Sequence, residues 1–149
     1  MVTHSTFRIE RNYAVSAEKV FKALSDPAKK RRWFAEGENF EIQEFTMDFR
    51  VGGTEVCRFR GNGMDLTNHT TYQDIVPDRR VVLAYSMSVG SARISASLSS
   101  FELIPTEHGT QLLFTEQAAF FENADGPQMR EEGWNQLLNA LAKELEAGG

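Results

Sequence analysis

Between residues 40 and 118 the sequence is a succession of strand-like segments, each closed by a turn signal, and a single long amphipathic stretch follows. The segments run 40–51, 54–60, 64–76, 80–89, 93–104 and 110–118, separated by Gly52-Gly53, Gly61-Asn62-Gly63, Pro77-Asp78, Gly90-Ser91 and the stretch from Pro105 to Gly109. Paired glycines and Asn-Gly steps supply the positive φ angles that tight hairpin turns need. Gly126-Pro127 then opens an element in which Trp134, Leu137, Leu138, Leu141 and Leu145 recur at steps of three and four, the spacing of one helix face. That pattern predicts a helix over about residues 127–146, with Gly148-Gly149 to end it. Strands joined by consecutive hairpins make an antiparallel sheet, and one face of such a sheet must be covered by something apolar. The last helix is the only element long enough to cover it.

The first third completes the element order. Residues 6–15 alternate, with Phe7, Ile9, Tyr13 and Val15 on one face, and read as a half-buried strand. Ser16 is placed to cap a first short helix whose buried stripe is Val20, Phe21 and Leu24. Asp26-Pro27 ends that helix and starts a second, since proline suits the first helical position. The second carries Lys29 to Arg32 and closes on Trp33-Phe34. The result is an α+β chain of about seven antiparallel strands with two short helices between strands 1 and 2. No repeat or linker divides it, so residues 1–149 are expected to form one domain.

Composition narrows the partners. A net charge of −5 opposes bulk attraction to nucleic acid and anionic lipid. The one basic run, Lys29 to Arg32, would point in all directions on a helix and reads as a solvated surface. Cys57 has no partner for a disulfide and reads as a small packed residue. No N-terminal segment has a signal peptide's apolar run and no stretch reaches membrane-spanning length, so a cytoplasmic address is expected. His4, His69 and His108 lack paired metal-ligand spacing, no Gly-x-Ser-x-Gly elbow occurs, and the glycine turns lack the lysine of a phosphate loop. No metal or cofactor is therefore expected.

Strand phase gives candidate site residues. Val81, Leu83, Tyr85 and Met87 share one face, as do Phe101 with Leu103 and Leu112 with Phe114. These should look toward Trp134, Leu138 and Leu141 on the last helix. Two charges fall on apolar phases: Arg11 after Phe7 and Ile9, and Glu116 after Leu112 and Phe114. Because a buried unpaired charge is costly, each must reach solvent, a partner or a ligand, and each is read as reaching solvent from an end of the sheet. With the first and last strands antiparallel neighbours, the two lie too far apart to pair. If either has a function, Glu116 is preferred, since it precedes the loop 117–125.

Seven short motifs in this order resemble the activator of heat-shock-protein-90 ATPase-like family of the START-like (SRPBCC, birch-pollen-allergen-like) superfamily. They are Val15 to Phe21, Ser25-Asp26-Pro27, Arg32-Trp33-Phe34, Asp48 to Gly53, Ile75 to Val81, Gly109-Thr110, and Gly133-Trp134 with its following leucines. The likeness runs from about Phe7 to Leu145. It departs at Ser16, where relatives usually carry proline, and in the small-residue strand Ile94 to Ser100, where they tend to be bulkier. The resemblance implies a helix-grip fold, a curved antiparallel sheet wrapped around the long C-terminal helix with an apolar cavity between them. It does not carry over the co-chaperone role that named the family, because the eukaryotic co-chaperones have an additional N-terminal chaperone-binding domain for which this chain has no room.

The expected function is binding or carrying a small hydrophobic ligand. Its candidate contacts are Tyr13, Trp33, Leu83, Tyr85, Met87, Phe101, Phe114, Glu116, Trp134, Leu138 and Leu141. Two alternatives stand beside it. One is an enzyme acting on a hydrophobic or polyketide-like ligand in the same cavity, with Glu116 and Tyr85 as acid–base candidates. The other is a protein-interaction, chaperone-regulating module using an exposed apolar patch. Binding is preferred to turnover, with no nucleic acid, no membrane span and the question of a homodimer open.

Overall fold

The computed structural model describes residues 1–37 and 40–147. Seven strands, β1 (Thr3–Tyr13), β2 (Phe40–Met47), β3 (Thr54–Gly61), β4 (Met64–Val76), β5 (Arg80–Val89), β6 (Ala92–Thr106) and β7 (Gly109–Phe120), form one antiparallel curved sheet. Its order is β1-β7-β6-β5-β4-β3-β2, so every pair but β1–β7 is a sequential hairpin. Two short helices, α1 (Ala17–Ser25) and α2 (Pro27–Lys30), and a π-helical turn (Arg31–Ala35) lie between β1 and β2. The long helix α3 (Pro127–Ala147) supplies the inward stripe Arg130, Trp134, Leu138, Leu141 and Leu145. This is the helix-grip arrangement.

Local chemistry explains the joints. The Ser16 hydroxyl accepts the Lys19 N–H at 3.2 Å and starts α1. The Asp26 carboxylate accepts the Ala28 and Lys29 N–H groups and starts α2, with Pro27 at its first position. The π turn follows directly, its Glu36 N–H reaching back to the Arg31 carbonyl at 3.0 Å. At Gly109, φ is +154° and a Cβ would strike the Tyr13 carbonyl, so only glycine lets β7 begin this close to the end of β1. Next to it, Thr110 Oγ1 donates to the Val15 carbonyl at 2.8 Å and locks the same corner.

Several boundaries differ from the sequence reading. β1 begins at Thr3 and ends at Tyr13 rather than spanning 6–15, because its polar start pairs with Gln117 to Phe120 of β7. β2 ends at Met47, and residues 48–53 form a loop instead of a tight Gly52-Gly53 hairpin. That loop is held by the Gly52 N–H on the Tyr72 carbonyl and the Gly53 N–H on the Arg50 carbonyl. β7 continues to Phe120, two residues further than expected. Gly148-Gly149 lies outside the described residues.

The basic run is not simply a solvated surface. Lys30 is buried, with Nζ 2.8 Å from Glu55 Oε1, and Glu55 also accepts the Tyr72 hydroxyl. The Lys30 ammonium stands 4.8 Å from the centre of the Phe34 ring. Helical geometry sends one of four consecutive basic residues inward, where a carboxylate meets it. Arg32 instead reaches α3 and binds Glu144 through two hydrogen bonds of 2.9 and 2.8 Å. Both contacts fix the π turn over one end of the concave face.

Candidate functional site

A cavity of about 360 Å³ lies between the concave sheet, the π turn and the first half of α3. The sheet contributes Phe59 from β3, Leu66 and Asn68 from β4, and Tyr85 and Met87 from β5. The π turn and the residues after it supply Trp33 through Gly37, and α3 supplies Arg130, Trp134 and Leu137 among others. Exposed Glu36, Gly37, Phe40, Gly133 and Gln136 rim its mouth. Volume and lining are those of a small-molecule site, mostly apolar and aromatic with a few polar groups.

The polar wall is a connected network. The Tyr85 hydroxyl donates to Glu116 Oε1 at 2.8 Å and accepts from Arg130 Nη1 at 3.1 Å and Trp134 Nε1 at 3.3 Å. Ser99 Oγ donates to the same Glu116 oxygen at 2.9 Å. Arg130 binds Asp125 with Nε and Nη2, each at 2.8 Å, and its Nη2 also reaches Ser95 Oγ at 2.9 Å. The second oxygen of Glu116 has no hydrogen-bond partner among the described residues and sits 3.7 Å from Arg130 Nη1. Burial pushes the Glu116 carboxyl above its usual range, against the opposing pull of the Tyr85 hydrogen bond and the Arg130 charge. Burial, and then the neighbouring Glu116, likewise raises the Tyr85 phenol well above its ordinary value. With its proton given to Glu116 and its oxygen accepting from two donors, Tyr85 presents no free acid or base to the cavity.

Of the residues singled out from sequence, Trp33, Tyr85, Met87 and Trp134 stand on the cavity wall. Leu83, Phe101, Phe114, Leu138 and Leu141 lie in the packed core beside it, where Phe114 stacks on Trp134 at 4.2 Å between ring centres. Tyr13 is also core, its hydroxyl donating to the Leu138 carbonyl at 3.0 Å. Burial pushes that phenol up to about 12. Glu116 corrects the reading most: it does not reach solvent at a sheet end but is fully buried behind Tyr85. β7 runs on past it, so it does not border the mouth. Arg11 pairs across from Leu112, away from Glu116, and its guanidinium binds Asn135 Oδ1 on α3 at 2.9 Å.

Residues 14–146 match the family described as activator of Hsp90 ATPase homolog 1-like protein. The chain belongs to this family. A protein from Rhizobium loti of known crystal structure is 49% identical over 97% of this chain and 99% of its own, with a TM-score of 0.89. One from Rhizobium leguminosarum is 36% identical over 98% of this chain and 97% of its own, with a TM-score of 0.93. An AHSA1-like protein from Aeromonas hydrophila shares the fold at 18% identity and a TM-score of 0.72, covering 97% of this chain and 94% of its own. No curated protein matches. Membership agrees with the START-like superfamily, whose fold is in general that of ligand-binding domains. Among the described residues no helix is long and apolar enough to cross a membrane.

Within this family member, sequence reasoning missed the apolar wall residues Phe34, Phe59, Leu66 and Leu137 and the polar ones Arg130, Asp125 and Asn68. Two of the polar ones carried a signal. Arg130 lies four residues before Trp134, on the helix face that Leu138 and Leu141 continue. Asn68 lies on the inward phase of β4 between Leu66 and Tyr72, and its register partner is Met87. Their polar type, not their position, kept them out of an apolar pattern.

Proposed function

We propose that this AHSA1-like domain binds a small hydrophobic molecule in the cavity between the sheet and α3. The observation that carries the reading is the cavity itself: about 360 Å³ walled by Trp33, Phe34, Phe59, Tyr85 and Trp134. Apolar surface removed from water there contributes about 25 cal/mol per Å², enough to hold a lipophile with few hydrogen bonds. The polar wall supports binding over turnover. Its hydroxyl and guanidinium are already committed to neighbours, whereas a catalytic acid or base must reach the substrate.

Native mass spectrometry of protein purified from its own host, together with titration of the uncharged dye Nile red, tests the reading. A retained lipophile or saturable dye binding is expected. Met87→Trp, which places an indole where Met87 lines the cavity, should abolish binding while the circular dichroism spectrum stays that of the wild type. Equal dye binding by the plugged variant would place the dye elsewhere and remove the basis of the proposal.

A further inference from the structure

The lining of the cavity sorts by depth. Glu36, Phe40 and Gln136 at the mouth are exposed, whereas Trp33, Tyr85, Arg130 and Trp134 are buried. Each of these buried members backs onto solid protein. Trp134 packs on Phe114 and Phe101, with ring centres 4.2 and 5.9 Å away, and neither phenylalanine reaches solvent. Trp33 is tied to the Ala23 carbonyl at 2.8 Å, Tyr85 to buried Glu116, and Arg130 to buried Ser95. The space is therefore a slot with one open end and one blind end.

The two ends differ in what they offer a polar group. At the blind end the indole N–H groups of Trp33 and Trp134 already donate to Ala23 and Tyr85, and Arg130 is engaged by Asp125, Ser95 and Tyr85. A polar group carried there would lose its water and meet donors and acceptors in use. At the mouth, exposed Glu36 and Gln136 stand in water, so a polar group keeps its hydration. Size sets a further limit. The volume of about 360 Å³ lies near the lower end for small-molecule sites. With about 30 Å³ for each water in the liquid, and a similar share for each non-hydrogen atom of an oily ligand, the slot holds about a dozen such atoms.

We infer that the cavity takes a medium-length amphiphile, apolar end inward and polar end at the mouth, and that it selects by length. An apolar group of about a dozen non-hydrogen atoms fills the slot, and any further length lies in solvent. This rests on the binding reading above and specifies the ligand's class and orientation. Within the limit, each methylene taken out of water should tighten binding by about fourfold, and beyond the limit an added methylene contributes little. A lipid with two long acyl chains exceeds the slot.

A chain-length series on the full chain tests it: hexyl, octyl, decyl, dodecyl and tetradecyl maltoside, each below its micelle concentration, displacing the uncharged fluorescent probe 1-aminoanthracene. The bulky sugar holds one end of every probe outside, and maltose alone should displace nothing. Affinity should rise by about tenfold or more at each step from hexyl to decyl, and by less than about threefold from dodecyl to tetradecyl. Met87→Ala clears the thioether from the wall, so the step from dodecyl to tetradecyl should return to about tenfold. If that variant does not fold, the wild-type series decides without it. A gain that continues undiminished to tetradecyl in the wild type overturns the inference. So do displacement by maltose, no displacement by any maltoside, and a break that stays in place in folded Met87→Ala. In each of these cases the binding reading stands. If neither 1-aminoanthracene nor Nile red binds the wild type, the binding reading falls and the inference falls with it.

Discussion

The concave face of the sheet has two unlike halves. Under α1 and the later turns of α3, β1, β7 and β6 present Ile9, Leu103, Leu112 and Phe114 to Val20, Leu138 and Leu141, and these side chains are buried. Beyond Trp134, β3, β4 and β5 present Phe59, Leu66 and Met87 to Leu137 and Ala140, and all five keep part of their surface exposed. The residue types do not explain the difference, since both halves offer large apolar side chains on the inward phase. What differs is the cover. Two helices fill the first half, whereas the second has the adjoining face of α3 and a single π turn, pinned by Lys30–Glu55 and Arg32–Glu144. Alternation along a strand says which side faces in. Whether partner atoms fill the space is decided by elements far away in sequence.

The comparison can be broken most directly by truncating one phenylalanine in each half. Phe114→Ala, in the filled half, should cost about 3–5 kcal/mol, because the cavity it leaves is lined by packed rings that cannot close over it. Phe59→Ala lies where space already exists and the ring is part exposed, so its loss should be nearer about 1 kcal/mol. Urea denaturation of both variants measures the contrast. Equal losses would mean that the second half is packed as tightly as the first and that the cavity is not a distinct region.

Glu116 sits at the seam between the halves and sharpens the comparison through pH. Its carboxyl is raised from the usual 4.5 chiefly by burial, with Tyr85, Arg130 and Ser99 opposing. A folded-state pKa above the unfolded one means that the native protein holds the proton more tightly. The stability linked to Glu116 is then fully present below about 4.5 and is lost as pH rises through the folded value. Glu116→Gln removes this titration while its amide oxygen can still accept from Tyr85 and Ser99. The melting temperature of the variant minus that of the wild type should therefore increase as pH is raised from 4.5. A difference that stays flat, or falls, would show that Arg130 holds Glu116 ionised throughout.

Much of this architecture is legible in the sequence, and the failures have physical causes. The bounds of β4 and β5 follow from alternation closed by Asn62-Gly63, Pro77-Asp78 and Gly90, because turn chemistry marks where hydrogen bonding must stop. The start of β1 at Thr3 is not marked, since Thr3 to Thr6 owe their strand conformation to the backbone of β7 rather than to apolar side chains. Lys30 is indistinguishable from Lys29 until Glu55 and Tyr72, on two different strands, are brought to it. Among the aromatic members of the site, Tyr85 and Trp134 are legible from phase and type together, whereas Phe34 and Phe59 are not. Arg130 and Asn68 occupy the right phase, but a polar residue on an apolar phase reads equally as a surface group, and only the folded network decides.

The smallest expected effect tests whether the mouth of the open half is set by backbone or by side chains. Gly133 lies inside α3 on the rim of the cavity, and a Cβ built there meets nothing within 4 Å. Glycine in a helix interior is less stable than alanine by about 0.5–1 kcal/mol, because it loses more backbone freedom on folding. With space for the methyl group and no clash to offset the gain, Gly133→Ala should stabilise the fold by about that amount, read as a rise in the urea midpoint. A single methyl at the rim removes little volume, so Nile red affinity should stay within about twofold of the wild type, as expected for a surface substitution that disturbs no packed contact. A much larger loss of affinity with the stability gain intact would mean that this rim is a close contact with the bound molecule. The glycine would then serve to admit the ligand at the expense of the helix, and the open half would be shaped at its mouth as well as along its wall.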